Sequence, residues 1–182
     1  MNNSKLIKKK MFIVFNFRKL FLLSASSLII FLNAFAYTSQ ICDFDPARDT
    51  QPIIDIFNKN HHMLSPDDDS SLYQSILESC YKNPRCTIKV LLENEKLAGY
   101  IRYQKIGRHG SIEELAVEDN FRNKEYGALL LSTAIEEFND MPYIQLACYK
   151  NNAPALHLYQ KMGFKKEKTV EDDDITLLRR KN

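Results

Sequence analysis

The chain has 182 residues, of which 45% are hydrophobic and 26% are charged, a globular composition that suits one domain of ordinary size. The formal net charge of +2 does not favour a strongly cationic nucleic-acid-binding protein, so we expect no nucleic acid as a partner. The charge is unevenly distributed. Six of the 25 basic residues and none of the 23 acidic residues lie in residues 1–36, which leaves 19 against 23, or −4, for the rest of the chain.

The first 36 residues show the three parts of a secretory signal peptide. Residues 8–10 and Arg18-Lys19 form a basic front, residues 20–42 carry no charge, and Ala34-Phe35-Ala36 supplies the small residues of a cleavage site. A retained membrane anchor is the alternative, because the uncharged run approaches the length of a bilayer span.

This pattern divides the chain into a leader at 1–36, either signal peptide or anchor, and one folded domain at 37–182. In both cases the basic flank stays on the cytoplasmic side, so the domain after the leader faces outward. We therefore expect an exported protein, secreted or periplasmic, or alternatively one tethered to a membrane through residues 20–36.

Four cysteines lie after the leader: Cys42, Cys80, Cys86 and Cys148. An exported chain permits disulfides, and the turn-like sequence between Cys80 and Cys86 makes that pair the most plausible bridge, with buried free thiols as the alternative. The absence of a CxxC pair argues against a structural zinc site, and we expect no metal.

Hydrophobic periodicity predicts a mixed α/β domain after the leader. A strand at 37–42 precedes a helix that Asp49 or Thr50 caps, a loop that begins near His61-His62, and a second helix that Ser70 or Ser71 caps and that carries Leu72 on its apolar face. The remaining predicted elements are strands at 87–92, 97–106 and 112–117, a helix at 126–138, a strand at 143–148, a helix at 153–162, and strands at 164–169 and 175–179.

Residues 115–128 form the first segment with functional character. A strand ends, a polar loop comes next, and a helix opens at Gly127-Ala128. A helix N-terminus exposes unpaired N–H groups, and small residues there let a pyrophosphate approach the backbone. Arg122 and Lys124 add positive charge beside it, although a solvated loop entering a helix would show the same pattern.

The second segment covers residues 146–164. Asn152 can cap its helix, and Ala155, Leu158 and Tyr159 stand on adjoining parts of one helical face. On structural grounds alone, Tyr159 would be a core aromatic residue with a satisfied hydroxyl group.

Together the two segments resemble the GNAT superfamily of N-acetyltransferases. The family's cofactor motif, Gln/Arg-x-x-Gly-x-Gly/Ala after a strand ending in hydrophobic-Ala-Val, matches Leu115-Ala116-Val117 and residues 122–127 with one exception at Glu125. The second motif of the family is matched by Asn152, Ala155, Leu158, Tyr159, Lys161, Gly163 and Phe164. The resemblance covers roughly residues 37–182.

The resemblance implies a mostly antiparallel central sheet of about seven strands flanked by about four helices. It also implies direct acetyl transfer from acetyl-CoA to a primary amine, on a small molecule or a protein. The acetyl group would lie in a splay between the strands predicted at 112–117 and 143–148. The residues that it assigns to acetyl-CoA are Leu115, Ala116, Val117, Arg122, Asn123, Lys124, Glu125, Tyr126, Gly127, Ala128, Asn152 and Tyr159.

Catalytic roles are implied by the same resemblance. Glu113 and Glu114 lie where relatives often place the base that accepts the proton of the acceptor ammonium; a regular strand would point them to opposite faces, and which one acts is open. Solvated strand carboxylates are the alternative. Ala147 stands where some relatives carry a glutamate, so the base lies on the earlier strand or is ordered water. Tyr159 matches the general acid that protonates the departing thiolate.

Glu125 is the main departure, since it replaces the first glycine of the cofactor loop. A carboxylate about 4 Å from a pyrophosphate charge would cost on the order of 4 kcal/mol at an effective dielectric near 20, unless the side chain points to solvent. An exported or membrane-tethered non-catalytic binding module on the same fold is therefore the alternative function.

The acceptor is hard to infer from sequence. Asp67-Asp68-Asp69 in the loop between the first two helices could favour a cationic amine such as a polyamine, an aminoglycoside or a lysine side chain. More often such a triplet is simply a solvated loop. His61-His62 lacks a third ligand at a suggestive spacing, so we do not expect a metal there.

Overall fold

The structure is a computed structural model that describes residues 11–14, 37–64, 72–170 and 174–182. Most of the predicted leader and the acidic triplet at 67–69 lie outside the described residues. The elements are β1 (Met11–Val14), β2 (Tyr37–Asp43), α1 (Pro46–Leu64), α2 (Tyr73–Lys82), β3 (Cys86–Glu93), β4 (Lys96–Ile106), β5 (His109–Val117), a short 3-10 helix (Asp119–Phe121), α3 (Tyr126–Glu137), β6 (Tyr143–Tyr149), α4 (Ala153–Lys161), β7 (Lys165–Val170) and β8 (Ile175–Lys181).

All strands join one sheet in the order β1-β2-β3-β4-β5-β6-β8-β7. Neighbouring strands are antiparallel except for β5 and β6, which are parallel. The predicted sheet of about seven mostly antiparallel strands with four helices is confirmed by β2 to β8 and α1 to α4. The short β1, inside the predicted leader, lies antiparallel to β2 along that edge.

The sheet separates two hydrophobic cores. Alternation along a strand sends adjacent side chains to opposite faces, so Val90 packs into one core and Leu91 into the other. The first core lies under α1 and α2 and includes Phe57 and Leu77, whereas the second lies under α3 and includes Leu130. Each functional segment is thus placed against a packed face of the same sheet.

Helix α1 begins earlier than predicted. Asp45 precedes the helix and accepts a hydrogen bond from the Ala47 N–H at 2.9 Å, and Pro46 occupies the first helical position. Asp49 lies inside the first turn, where its carboxylate accepts the Asp45 N–H at 2.8 Å, as in a capping box. Asp49 therefore caps the helix from a position inside the first turn, by accepting the Asp45 N–H. Thr50 is not the N-cap residue.

The predicted loop after α1 also begins later, because His61 and His62 form part of the last turn of the helix. Helix α2 starts after Leu72, whose side chain makes no capping hydrogen bond and is 58% exposed. The prediction that Leu72 lies on the buried face was wrong, while the proposed caps at 70 and 71 lie outside the described residues. Stacking of Phe57 on Tyr73, with centroids 3.8 Å apart, joins the two helices.

A disulfide links Cys80 in α2 to Cys86 at the start of β3, with a Cα–Cα distance of 5.3 Å, which confirms the predicted bridge. Cys42 and Cys148 are free thiols. In the part of the chain that the structure describes, no helix is both long and apolar enough to cross a bilayer.

Candidate active site

The parallel strands β5 and β6 separate part-way along their length. Their Cα pairs are Gly110 with Ile144, Ser111 with Gln145, and Ile112 with Leu146, although β5 continues to residue 117 and β6 to residue 149. Strand β4 stays paired with β5 as far as the end of β5. A cleft therefore opens on one side of β5 only, which is the splay expected from the resemblance.

A β-bulge lies where this cleft begins. Arg102 on β4 pairs with Glu114 and the next residue, Tyr103, pairs with Ile112, so that Glu113 is an extra residue in β5. The bulge breaks the strict alternation of side chains that a regular strand would show.

As a consequence, Glu113 and Glu114 face the same side of the sheet. The Gln104 side-chain amide donates to Glu113 at 3.0 Å, and Arg102 Nε donates to Glu114 at 3.3 Å. Because Arg102 and Gln104 are two residues apart on β4, they share the face that α1 and α2 cover. The expectation that the two carboxylates point to opposite faces is corrected by the bulge.

Glu114 is the buried member of the pair, with 7% of its surface exposed. The hydroxyl of Tyr73, on α2, donates to its carboxylate, and that hydroxyl also lies 3.1 Å from the hydroxyl of Tyr100. Burial raises the pKa of Glu114 above its ordinary value, while the Arg102 charge and the two tyrosines oppose that rise. A buried carboxyl group whose pKa is perturbed by burial and by a specific charged partner is a candidate acid–base group.

Two left-handed residues shape the loop before α3. Asn123 has φ of 62° and Glu125 has φ of 60°, and Glu125 is the residue that precedes the helix. No side chain among the described residues caps this helix start, and the Leu129 N–H makes the first bond back to the Glu125 carbonyl. The preceding N–H groups of residues 126–128 are thus without intrahelical partners and available to an anion.

The Glu125 side chain lies in solvent and makes no capping hydrogen bond to this helix start. It is 81% exposed and lies 3.4 Å from Lys161 Nζ on α4. This is the solvent-facing arrangement under which the predicted repulsion would not apply. The remaining penalty is the cost of a left-handed conformation for a residue with a Cβ, on the order of 1–2 kcal/mol.

The two predicted loop cations behave differently. Arg122 is half-exposed and donates to Asn60 on α1 at 2.7 Å, while it also pairs with Asp119 at 2.7 Å. Lys124 instead pairs with the buried carboxylate of Glu93 at 2.8 Å. Both cations are exposed, Arg122 by 52% and Lys124 by 40% of the side chain, and they differ in the carboxylate that each one pairs with.

Gly127 brings the two sequence segments together. A Cβ added to Gly127 would lie 3.1 Å from Cδ2 of Leu158, in the second segment, and 3.9 Å from Cγ2 of Val117, at the end of β5. The small residue therefore allows α3 to begin close to both. The partly buried side chains of Leu115 and Val117 pack into the core under α3, whereas Ala116 belongs to the opposite core.

In the second segment, Asn152 is the N-cap of α4 and its Oδ1 accepts the Ala155 N–H at 3.2 Å, as predicted. Tyr159 is buried, with its ring centroid 6.0 Å from that of Phe164. Among the residues that the structure describes, none is hydrogen-bonded to its hydroxyl, and the same holds for the buried hydroxyl of Tyr103. Burial, followed by the nearby Cys148, raises the pKa of Tyr159, so that the phenol stays protonated.

The polar residues that support the site were not predicted from the sequence, namely Glu93, Tyr73, Tyr100 and Arg102. Two of them left a signal, because Glu93 and Arg102 are charged residues within strands of buried apolar residues. Ala147 lies exposed on β6 and pairs with Leu177, so β6 offers no carboxylate at that position. Over the described ranges, no three His, Cys, Asp or Glu side chains are arranged to hold a metal ion.

A mostly antiparallel sheet that opens between two parallel strands, next to a helix start with unpaired N–H groups, defines the class of acetyl-CoA-dependent acyltransferases. The sequence matches the acetyltransferase (GNAT) family over residues 50–164, more than half of the chain, and this match contains both functional segments. The chain belongs to the acetyltransferase (GNAT) family.

Solved structures share the fold. The PaiA N-acetyltransferase from Thermoplasma acidophilum, in complex with coenzyme A, is 16% identical and has a TM-score of 0.64, with 79% of this chain and 99% of that chain covered. Mutant forms of the spermidine/spermine N-acetyltransferase SpeG from Vibrio cholerae are 15% identical, with a TM-score of 0.64 and coverages of 78% and 92%.

A curated relative is also similar over part of its length. The UPF0157 protein YqkA from Bacillus subtilis is 35% identical over 79 residues, which are 43% of this chain. The match covers 23% of YqkA, so this chain spans about a quarter of that relative.

Proposed function

We propose that the protein transfers an acetyl group from acetyl-CoA directly to a primary amine, without a covalent enzyme intermediate. The observation that carries the proposal is the cleft beyond the Ile112–Leu146 pair, which is flanked by both family segments. This opening gives a thioester a route between the two strands, and the packing of Gly127 against Leu158 brings the segments to one place.

The donor is held mainly by backbone groups. The N–H groups at the start of α3 receive the pyrophosphate, with Arg122 as the neighbouring exposed cation. The end of β5 at Val117 offers backbone groups to the pantetheine arm, because β5 has lost its β6 partner there. The Asn152 amide nitrogen provides a further donor, since its Oδ1 is occupied by the helix cap.

Acetyl-CoA supplies an acetyl group activated as a thioester. In our proposal Glu114 takes the proton that the acceptor ammonium must lose before its nitrogen attacks the carbonyl carbon, directly or through water. The C–N bond forms, the C–S bond breaks, and Tyr159 donates its proton to the departing sulfur. The second proton that the nitrogen must lose returns to the Tyr159 phenolate, directly or through water, so that the step ends with a protonated thiol and a neutral amide. Glu114 is preferred to Glu113 because burial raises its pKa, whereas Glu113 is exposed and bonded to Gln104.

We infer that the acceptor carries a cationic amine. The two carboxylates of Glu113 and Glu114 lie on the face covered by α1 and α2, where they would attract such a group to one side of the cleft. A polyamine or a protein amine fits this chemistry. The likeness to a spermidine/spermine N-acetyltransferase in fold is consistent with it.

The non-catalytic alternative is not favoured. The feature of this site that supported the alternative was the Glu125 carboxylate in the cofactor loop. That side chain lies in solvent beside Lys161. Export, or tethering through residues 20–36, remains our proposal from the sequence, and intact-mass analysis of the native protein tests it by showing whether the chain starts at Tyr37.

Thermal unfolding with and without acetyl-CoA tests the function. A specific binder should gain about 2.7 kcal/mol of stability at a hundred times its dissociation constant. Acetylation of spermidine is then monitored by release of free thiol, with a no-acceptor reaction as the control. No thermal shift at millimolar acetyl-CoA would contradict the proposed function.

A further inference from the structure

We propose that Glu93 is a positioning residue for the donor site: its buried carboxylate holds Lys124 and Tyr126, and thereby fixes the backbone N–H groups at the start of α3 for pyrophosphate. The inference rests on the proposed placement of the donor at that helix start. It assigns a role to a residue of β3 that lies outside both family segments.

Glu93 is the last residue of β3 and is 3% exposed. Lys124 Nζ lies 2.8 Å from one carboxylate oxygen and 3.0 Å from the other, and the Tyr126 hydroxyl donates to the latter at 2.6 Å. Lys124 and Tyr126 flank Glu125, so one carboxylate holds the chain on both sides of the residue that precedes α3.

The backbone held in this way is unfavourable for its residues. Asn123 and Glu125 both have positive φ and lie on either side of Lys124. Such conformations persist when the surroundings determine them strongly. The loop contains no glycine between residues 118 and 126 that would adopt positive φ without a Cβ penalty. The bonds from Lys124 and Tyr126 to Glu93 supply the constraint from a buried strand.

The charges around Glu93 argue against a direct contact between its carboxylate and the donor. A carboxylate would repel pyrophosphate, but this one is buried and paired with Lys124, which is 40% exposed. The pairing also directs the ammonium toward Glu93. Glu93 therefore acts through the loop backbone, by orienting the N–H groups of α3 before the donor arrives.

The test compares two acetyl donors. Acetyl-CoA contains the pyrophosphate, whereas S-acetylpantetheine has the thioester and pantetheine arm without it. For Glu93→Ala we expect the Kd for CoA and the KM for acetyl-CoA to rise about tenfold as preorganisation is lost. The kcat with saturating acetyl-CoA, and kcat/KM with S-acetylpantetheine, should stay within about twofold of wild type.

Three further variants control for folding. Glu93→Gln keeps an acceptor for the Tyr126 hydroxyl and should lose less affinity than Glu93→Ala. Tyr126→Phe removes only the bond between that hydroxyl and Glu93, and it replaces Glu93→Ala as the test variant if Glu93→Ala does not fold. Asp49→Ala is the matched control, since Asp49 is 1% exposed and paired with Arg48, yet lies at the start of α1. It should lower stability without discriminating between the donors.

Equal weakening of both donors by Glu93→Ala and Tyr126→Phe would show a general structural role and overturn the inference. Unchanged CoA affinity in both variants would also overturn it. Absence of CoA binding by the wild-type protein would refute the proposed function and this inference with it. If the inference alone fails, the wild-type protein still binds CoA, so the two failures are distinguishable.

Discussion

Ile112 of β5 and Leu146 of β6 form the last Cα pair between the two parallel strands, and both side chains are buried in the core under α3. The cleft thus begins directly beyond a packed apolar pair. Because the pair is fixed by burial on both strands, the position at which the strands separate is set by the core rather than by a mobile loop. The reacting groups are placed relative to that fixed point.

Tyr159→Phe should lower kcat by about 100-fold if the phenol is the general acid, since positioned acid–base groups contribute effects of this size. The Kd for CoA should change little, because the ring packing is retained. Steady-state and single-turnover kinetics measure the two quantities. Tyr103→Phe is the control, as Tyr103 is also buried in this core but packs against Phe138. Unchanged turnover with chemistry rate-limiting would exclude the role.

Glu114→Gln should remove the acidic limb of the pH profile of kcat/KM, because the base must be deprotonated to act. That limb should lie above pH 4.5, since burial raises the Glu114 pKa from this ordinary value. Glu113→Gln is the comparison and should retain the limb with a smaller loss of rate. The assignment would be reversed if Glu113→Gln abolished the limb instead.

The same raised pKa predicts how stability depends on pH. The folded protein binds the Glu114 proton more tightly than the unfolded chain, so the resulting stabilisation is full below about pH 4.5 and is lost as pH rises through the folded-state pKa. The unfolding free energy of wild type relative to Glu114→Gln should therefore fall as pH rises above 4.5. Urea denaturation across pH 4–8 measures it, and a constant difference would contradict the prediction.

Glu125→Gly should stabilise the protein by up to about 1 kcal/mol, because glycine adopts positive φ without a Cβ penalty. Glu125→Ala is the matched control, since it removes the charge but keeps the Cβ, and should bring no such gain. Both variants should change CoA affinity by less than about threefold, because the exposed carboxylate pairs with Lys161. Chemical denaturation and calorimetry check these outcomes, and a large affinity gain in both variants would show that the carboxylate does reach the pyrophosphate.

Reduction of the Cys80–Cys86 disulfide should cost about 2 kcal/mol of stability, as expected from loop-closure entropy for so short a loop. Urea denaturation with and without a phosphine reductant measures the loss. The Cys80→Ser/Cys86→Ser double variant should be less stable and insensitive to reductant. A reductant effect that persists in the double variant would point to another cause.

Much of the fold was predictable because it depends on periodicity along single segments. Strands such as Ile175–Lys181 and the helix of the second segment are defined by local patterns and by caps such as Asn152. The predicted positions of the helix ends were less accurate. The Asp45–Asp49 capping box uses a residue inside the first turn, which sequence spacing alone does not distinguish from a cap before it.

The site was predictable where a motif prescribes backbone geometry and not where long-range contacts decide. The positive φ of Glu125 and the helix start are consistent with the motif position. The bulge at Glu113 depends on how β5 registers against β4, and the Glu93–Lys124 pair joins residues 31 positions apart. Neither relationship is encoded in a local pattern, so both required the assembled sheet.

The bond from Arg122 to Asn60 joins the donor loop to α1, and Lys59 beside Asn60 also reaches Glu118 at 2.9 Å. A donor that draws Arg122 toward its phosphates must loosen its bond to Asn60. Thermodynamic linkage is reciprocal, so an acceptor that displaces α1 changes the affinity for acetyl-CoA by the same factor by which acetyl-CoA changes the affinity for the acceptor. The two substrates would then bind as a coupled pair.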